Sequence, residues 1–162
     1  MRLHLVLKRW KNWMSKCIFL NSPVGILYLC ESEGKIVGIT KHPQPVTQTC
    51  DVLEMCKKQL LEYFNHQRVE FDLPLSYQGT AFQCAVWKAM KQIKYGECVS
   101  YQQLAKLAQV PDAVRAVGTA CGKNPIAIVI PCHRVIKSDG KIGNYAWGSE
   151  MKQFLIDLEE GE

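Results

Sequence analysis

The residues best suited to chemistry stand side by side: Cys132 and His133, in the run Asn124-Pro125-Ile126-Ala127-Ile128-Val129-Ile130-Pro131-Cys132-His133-Arg134-Val135. The thiolate is the nucleophilic form of cysteine, and a neighbouring imidazole and guanidinium make an electropositive setting that favours it. The bland alternative is a small buried hydrophobe, the usual fate of a lone intracellular cysteine. The run argues for more than that. Its apolar part reads as a strand, Pro131 cannot donate to a sheet ladder, and His133-Arg134 resists full burial, so the strand should end there with the thiol at its tip. Neighbours in an extended segment point to opposite faces, so contact between Cys132 and His133 needs a turn at Pro131 or a bridging water. We expect His133 to activate Cys132 through a water.

Such a thiol must be positioned by its flanks. Thr80 can cap a helix running to about Ile93, with Phe82, Val86, Met90 and Ile93 on one face. Ser100 caps a short helix over Tyr101 to Ala108, and Pro111-Asp112 opens another over Asp112 to Cys121. Two short helices joined by a tight turn, after a longer one, make a helix-turn-helix, although most helix pairs of this size only pack together. The last of them presents Ala113, Val114, Ala116, Val117 and Gly118, all small or apolar, around the single long side chain of Arg115. That face offers few hydrogen bonds for reading major-groove edges. It suits the minor groove, where small residues allow close approach and one long side chain can enter the base stack.

The first half of the chain is organised differently. Cys17–Leu20, Gly25–Cys30 and Lys35–Thr40 are short β-prone runs separated by turn formers, and they read as an antiparallel meander. Asp51 to Asn65 carries Val52, Met55, Cys56, Leu60 and Phe64 among charged residues, the pattern of an amphipathic helix capped by Asp51. The stretch from Phe71 to Gly79 has turn formers and no period, which sets a domain boundary near residue 77. The expectation is an α/β protein of two units, residues 14–77 and 78–162, with residues 1–13 an appendage and Met14-Ser15-Lys16-Cys17 resembling a second start.

Composition narrows the partners less than it first suggests. The net charge of +5 is carried by Arg2, Lys8, Arg9, Lys11 and Lys16, beyond which 15 basic residues face 15 acidic ones. Charge alone therefore does not establish nucleic-acid binding. The opening stretch is broken at His4 and Lys8, too early for a signal or membrane helix. The eight cysteines show neither CxxC pairs nor a secreted disulfide framework, so a reducing compartment, the cytoplasm or a nucleus, is expected. Cys17, Cys30 and His42 lack the spacing of a zinc site, and no metal or cofactor is expected.

Tyr101-Gln102-Gln103-Leu104-Ala105, Arg115-Ala116-Val117-Gly118, Pro131-Cys132-His133-Arg134-Val135 and Gly143-Asn144-Tyr145, in this order and spacing, resemble the methylated-DNA–protein-cysteine methyltransferases, the O6-alkylguanine-DNA alkyltransferases. The resemblance is close over residues 79–160. It implies a ribonuclease-H-like N-terminal α/β domain and a helical, winged-helix-like C-terminal domain that binds double-stranded DNA as a monomer through the minor groove. It implies that Cys132 takes the alkyl group from O6-methylguanine, or from O4-methylthymine, on a flipped-out nucleotide. Arg115 is then the finger that fills the stack, Tyr101 a proton donor to the leaving guanine, and Asn124 the hinge asparagine. Alignment through Lys152 and Leu155 makes Glu159 the acid that orients His133, with Glu160 one residue away. Cys121, Val135, Tyr145, Ala146 and Trp147 would form the substrate pocket, with Tyr145 at the alkyl group and the backbone around Cys132, Val135 and Ala146 reading the guanine edge. Because the product is a thioether, with no carbonyl for water to attack, each molecule should act once.

Three rivals are weighed against that reading. Alkyltransferase-like lesion-binding modules share the scaffold but carry tryptophan at the position of Cys132. Two-part adaptive-response regulators add a zinc-binding domain for which the chain has no room. A cysteine hydrolase draws its Cys and His from separate segments and needs an oxyanion hole, of which no motif is evident.

Overall fold

The computed structural model describes residues 15–161, so the expected appendage 1–13 and the start-like Met14 lie outside the described residues. Strands β1 (Lys16–Ser22), β2 (Gly25–Ser32) and β3 (Lys35–Thr40) form an antiparallel sheet in that order. Alternation decides which face is buried: Ile18 and Leu20 of β1 and Leu27 and Leu29 of β2 point inward, while Phe19 points out. Ser32 pairs with Lys35, which leaves Glu33 and Gly34, both at positive φ, as the two-residue turn that matches strand twist. Helix α1 (Asp51–Phe64) covers the inner face with Leu53, Cys56, Leu60, Tyr63 and Phe64.

Three expectations for this half need correction. The cap of α1 is Cys50, with no side-chain capping bond, and Asp51 is the first helical residue, where its charge favours the helix dipole. The buried face is also turned from the expected one, since Met55 is exposed and Val52 half-buried while Leu53 and Tyr63 are inside. Cys17 and Cys30 are not free thiols. The β1–β2 register sets them opposite one another, and they are joined by a disulfide across the ladder. Their separation of 13 residues hides that pairing until the register is known. The other six cysteines are free.

An extended segment carries the chain across. The amide of Gln59 holds it from α1, donating to Asp72 O at 3.0 Å and accepting from Asp72 N–H at 2.9 Å. Helix α2 (Ala81–Met90) begins in a capping box in which Thr80 and Gln83 satisfy each other's backbone N–H groups. It stops at Met90, three residues short of the expected end, and Ile93 continues its buried face in a tighter turn. After β4 (Val99–Ser100), Ser100 and Gln103 form a second capping box at the start of α3 (Tyr101–Leu107). Helix α4 (Val114–Gly122) starts two residues later than expected. Ala113 occupies its cap without a side-chain bond. Trp87 ties α2 to α4 by donating Nε1–H to Ala120 O at 2.9 Å.

The predicted strand before the thiol is absent as a regular element. Ile126, Ala127 and Ile130 make only isolated bridges, and Ile128 sits at φ 71°, a left-handed conformation that a β-branched residue adopts only when its surroundings force it. The segment folds back on itself, with Ile130 N–H on Ile126 O at 2.9 Å. It is anchored outward as well, since Ile39 of β3 donates to Pro125 O at 3.1 Å. The chain then passes through one 3-10 turn, Cys132–Arg134, into β5 (Val135–Ile136), which pairs in parallel with β4. Helix α5 (Ser149–Glu160) closes the described structure and ends at Gly161 in the left-handed conformation.

Candidate active site

The 3-10 turn changes the geometry expected of Cys132, His133 and Arg134. All three side chains are buried, contrary to the expectation that His-Arg would resist it. Burial is affordable because a carboxylate from α5 pairs with the Arg134 cation and accepts from the His133 ring. Glu159 Oε2 lies 2.6 Å from His133 Nε2, and Arg134 donates Nε–H to Glu159 Oε1 at 2.7 Å and a second N–H to Oε2 at 3.1 Å. A third Arg134 N–H reaches Ile93 O at 2.6 Å. Gly96 N–H donates to Oε1 at 3.3 Å, and the Tyr63 hydroxyl donates to Oε2 at 2.6 Å. Burial alone would raise the Glu159 pKa. Hydrogen bonds and charge from His133 and Arg134 outweigh it and hold the carboxyl at about 2.

Those contacts fix the histidine's chemistry. Burial, aided by the charges of Arg134 and Lys152, keeps the His133 pKa below its usual value against the pull of Glu159, so the imidazole rests neutral. A neutral ring facing a carboxylate through Nε2 carries its proton there and its lone pair on Nδ1. Nδ1 is buried without a protein partner. Its lone pair is therefore not taken by any donor among the described residues and can accept a proton.

The thiol is poised differently from what its neighbours in sequence suggested. Burial raises the Cys132 pKa above that of a free thiol, and the adjacent Arg134 turns away to Glu159. The resting group is a thiol. What favours its ionisation comes from elsewhere: Asn124 donates Nδ2–H to Sγ at 3.2 Å, the Tyr145 hydroxyl faces the sulfur without meeting full hydrogen-bond geometry, and Lys152 contributes positive charge. Asn124 also donates to Ile130 O at 2.6 Å and accepts from Ile126 N–H at 3.0 Å, so one amide holds the strained loop and the sulfur together.

Lys152 and Tyr63 were not among the expected site residues. Lys152 is fully buried, donates to Asn144 O at 3.2 Å and lies 5.7 Å from the centroid of the Tyr101 ring. A sequence signal for it existed: Lys152, Leu155, Ile156 and Glu159 recur at helical spacing, which puts the lysine and the glutamate on the inward face of α5. Tyr63 lies on a helix of the other half of the chain and carried no local signal.

The remaining candidates divide by exposure. Tyr101 is half-buried, with its ring against Gly118, 3.8 Å from where a Cβ would stand, and its hydroxyl beside Gly143. Burial and the nearby thiols Cys121 and Cys132 raise its pKa, so it is a phenol able to donate. Cys121 is buried with Sγ 3.7 Å from Met90 Sδ, and Val135 is fully buried beneath the turn. Tyr145 and Trp147 meet edge to face at 5.9 Å, and Lys41 lies 5.9 Å over the indole. Ala146 is exposed. Along α4 and its cap, Ala113, Val114 and Gly118 are half-buried, while Arg115 and Ala116 are exposed. Arg115 has no ion pair among the described residues. Glu160, the alternative to Glu159, is exposed. Among the described residues no cluster could hold a metal ion and no helix is long and apolar enough to cross a membrane. A groove of about 450 Å³ between β1 and α1 is lined by none of these residues.

A buried thiol and a carboxylate-held imidazole in one turn, beside two short helices joined by a turn, are the arrangement expected of a DNA-binding protein that uses a cysteine. Comparison with known proteins makes that specific. Residues 16–77 match the family model of the 6-O-methylguanine DNA methyltransferase ribonuclease-like domain, and residues 81–161 match that of the DNA-binding domain of the same enzymes. The methylated-DNA–protein-cysteine methyltransferase of Methanosarcina barkeri is 43% identical over 149 residues, covering 87% of this chain and 94% of its own. The crystal structure of the Mycobacterium tuberculosis O6-methylguanine methyltransferase superposes with a TM-score of 0.84 at 37% identity, over 91% of this chain and 94% of its own. The Mycobacterium tuberculosis protein in complex with DNA superposes at 0.78, with 36% identity, over 91% of this chain and 92% of its own. The chain belongs to the methylated-DNA–protein-cysteine methyltransferase family, the enzymes of direct-reversal DNA repair. The two-domain α/β architecture is that of the family, and with relatives named as methyltransferases the lesion-binding alternative is not favoured.

Proposed function

We propose that Cys132 removes the alkyl group from O6-methylguanine, and from O4-methylthymine, in double-stranded DNA. Glu159 orients neutral His133, whose Nδ1 takes the Cys132 proton through a water. The sulfur attacks the alkyl carbon, the S–C bond forms as the C–O6 bond breaks, and the bond's electron pair stays on guanine. Tyr101 donates a proton toward the leaving base and recovers one from solvent as His133 releases its own. The substitution balances without a cofactor. The thioether has no route back to thiol, so one molecule carries out one transfer. The observation that carries this reading is the Glu159–His133 contact beside the Asn124–Cys132 contact, which supplies a base and an activated acceptor in one buried turn.

The base must leave the duplex to reach such a thiol. Exposed Arg115, on a helix face of small residues, supports its role as the side chain that fills the stack from the minor groove. Cys121, Val135, Tyr145, Ala146 and Trp147 are proposed to line the alkyl and guanine pocket, and Ala113, Val114, Ala116 and Gly118 to meet the DNA. The working protein is proposed to be a monomer of two units, residues 14–77 and 78–162, acting where DNA is kept, in the cytoplasm or a nucleus. Incubation with a methylated duplex, followed by intact mass and peptide mapping, tests the proposal. One methyl group on Cys132 per molecule is expected. Methyl on another cysteine, or many turnovers per molecule, overturns it.

A further inference from the structure

Tyr63 stands out on α1 because its hydroxyl leaves its own half of the molecule. Its ring is fully buried among aromatics, with centroids 5.3 Å from Phe64, 5.4 Å from Phe71 and 6.1 Å from Tyr95. The hydroxyl reaches Oε2 of Glu159, 96 residues away in sequence, at 2.6 Å. That is the oxygen on which His133 Nε2 rests, also at 2.6 Å. We propose that Tyr63 is a positioning residue for alkyl transfer: by sharing Oε2 with His133 it fixes the carboxylate and limits its pull on the imidazole, so the N-terminal domain sets the strength of the base that serves Cys132. The inference rests on the relay proposed above.

The chemistry of a shared acceptor carries the argument. A carboxylate oxygen has lone pairs for about two good donors, and a hydrogen bond to a charged acceptor is worth more than one between neutral groups. Oε2 already receives His133, Tyr63 and, at 3.1 Å, an Arg134 N–H. Each donor withdraws charge that the others would use. Burial and the charge of Glu159 keep the phenol protonated, so Tyr63 can only donate. Removing its hydroxyl leaves the oxygen more basic toward His133 and favours the imidazolium. Removing the carboxylate charge does the reverse. The other groups that face Glu159 or His133 are Arg134 from the 3-10 turn, Tyr95 and Cys98 from the segment before β4, Tyr145 from the segment before α5, and Lys152 from α5 itself. All of them remain in a Tyr63→Phe protein.

Those opposite signs separate positioning from packing. The test measures the pH dependence of single-turnover methyl transfer from a methylated duplex, with the titration of His133 followed by nitrogen NMR, in the full-length wild-type, Tyr63→Phe and Glu159→Gln proteins. Phenylalanine keeps the ring contacts. The acid limb and the His133 titration should both move up by about half a pH unit or more in Tyr63→Phe and down in Glu159→Gln. Fluorotyrosine placed at position 63 preserves the fold and makes the phenol a stronger donor, and should move both downward. If Tyr63→Phe lowers only the melting temperature, or fluorotyrosine leaves the profile in place, Tyr63 is a packing residue and the inference is overturned. If Glu159→Gln also leaves both readouts unmoved, the relay itself is wrong.

Discussion

The two regions proposed to do the work of this molecule are prepared in opposite ways. Around Glu159 the donors are already spent: His133, Arg134, Tyr63 and Gly96 converge on one carboxylate before any substrate arrives. Along α4 almost nothing is spent, and Arg115 stands exposed without an ion pair among the described residues. A proton relay works by having its geometry fixed in advance, because a misplaced base loses most of its effect. A side chain that must enter a base stack works by being free until the stack opens. Substitutions in the first region should therefore damage fold and chemistry together, and those in the second should damage only the handling of duplex.

The sharpest break comes from Cys132→Ser. A hydroxyl is too weakly acidic for the proposed relay to ionise, so methyl transfer should vanish while binding to a methylated duplex, measured by fluorescence anisotropy, persists. Glu159→Gln is next. General-base assistance is worth about a hundredfold or more, and a rate loss of that size at neutral pH is expected, with recovery in alkali where the thiol ionises unaided. The same variant tests the electrostatics. The Glu159 pKa lies at about 2 in the folded protein, below the ordinary carboxyl value of 4.5, so its contribution to stability is complete above that value and is lost as pH falls toward 2. Urea midpoints across that window should decline in the wild type and less steeply in Glu159→Gln.

Sequence reading reached the two regions unequally for a physical reason. Strands β1 to β3, the presence of α1 and the caps Thr80 and Ser100 are written in local periodicity and cap residues, which a single sequence displays. The turn at Cys132 is not. Ile126-Ala127-Ile128-Val129-Ile130 has the composition of a buried strand, but it is bent by its own Ile130 N–H to Ile126 O bond and by the holds of Asn124 on Ile130 O and of β3 on Pro125 O. The same blindness applies to burial of charge. His133 and Arg134 read as surface residues because their counter-charge lies 26 and 25 positions away on α5. Tyr63 was invisible because the face of α1 was assigned to Met55 and Val52, one step round the helix. The Cys17–Cys30 bond needed the strand register.

Arg115→Ala sharpens the contrast from the exposed side. Unstacking and flipping a base costs a few kcal/mol, so losing the residue proposed to offset part of it should slow duplex repair by about thirtyfold. Alkylation by a small free base needs no flipping and should be unaffected. The melting temperature should hardly move, since exposed substitutions usually fall within about 0.5 kcal/mol of neutral. Equal loss on duplex and free base would mean that Arg115 serves the chemistry instead, and the division between the regions would fail.

The smallest effect tests where the two regions meet. Trp147 follows Tyr145 by two residues, contacts it edge to face and lies under Lys41 from the sheet domain. Tyr145 in turn faces the Cys132 sulfur. An indole in that place should crowd a benzyl ring more than a methyl group, because the cost of a clash grows with the bulk that must be accommodated. Free benzylguanine is then a poor inactivator while methylated DNA remains a good substrate. Trp147→Gly should raise benzylguanine sensitivity about tenfold, equivalent to about 1.4 kcal/mol in the barrier, with methyl transfer retained. Lys41→Ala gives an internal control: it removes the cation over the indole, worth about 0.5–1 kcal/mol at a partly exposed site, and should loosen the gate less than removal of the ring itself. If Trp147→Gly leaves benzylguanine sensitivity unchanged while methyl transfer persists, the indole only packs between the domains and the pocket is bounded by Tyr145 alone.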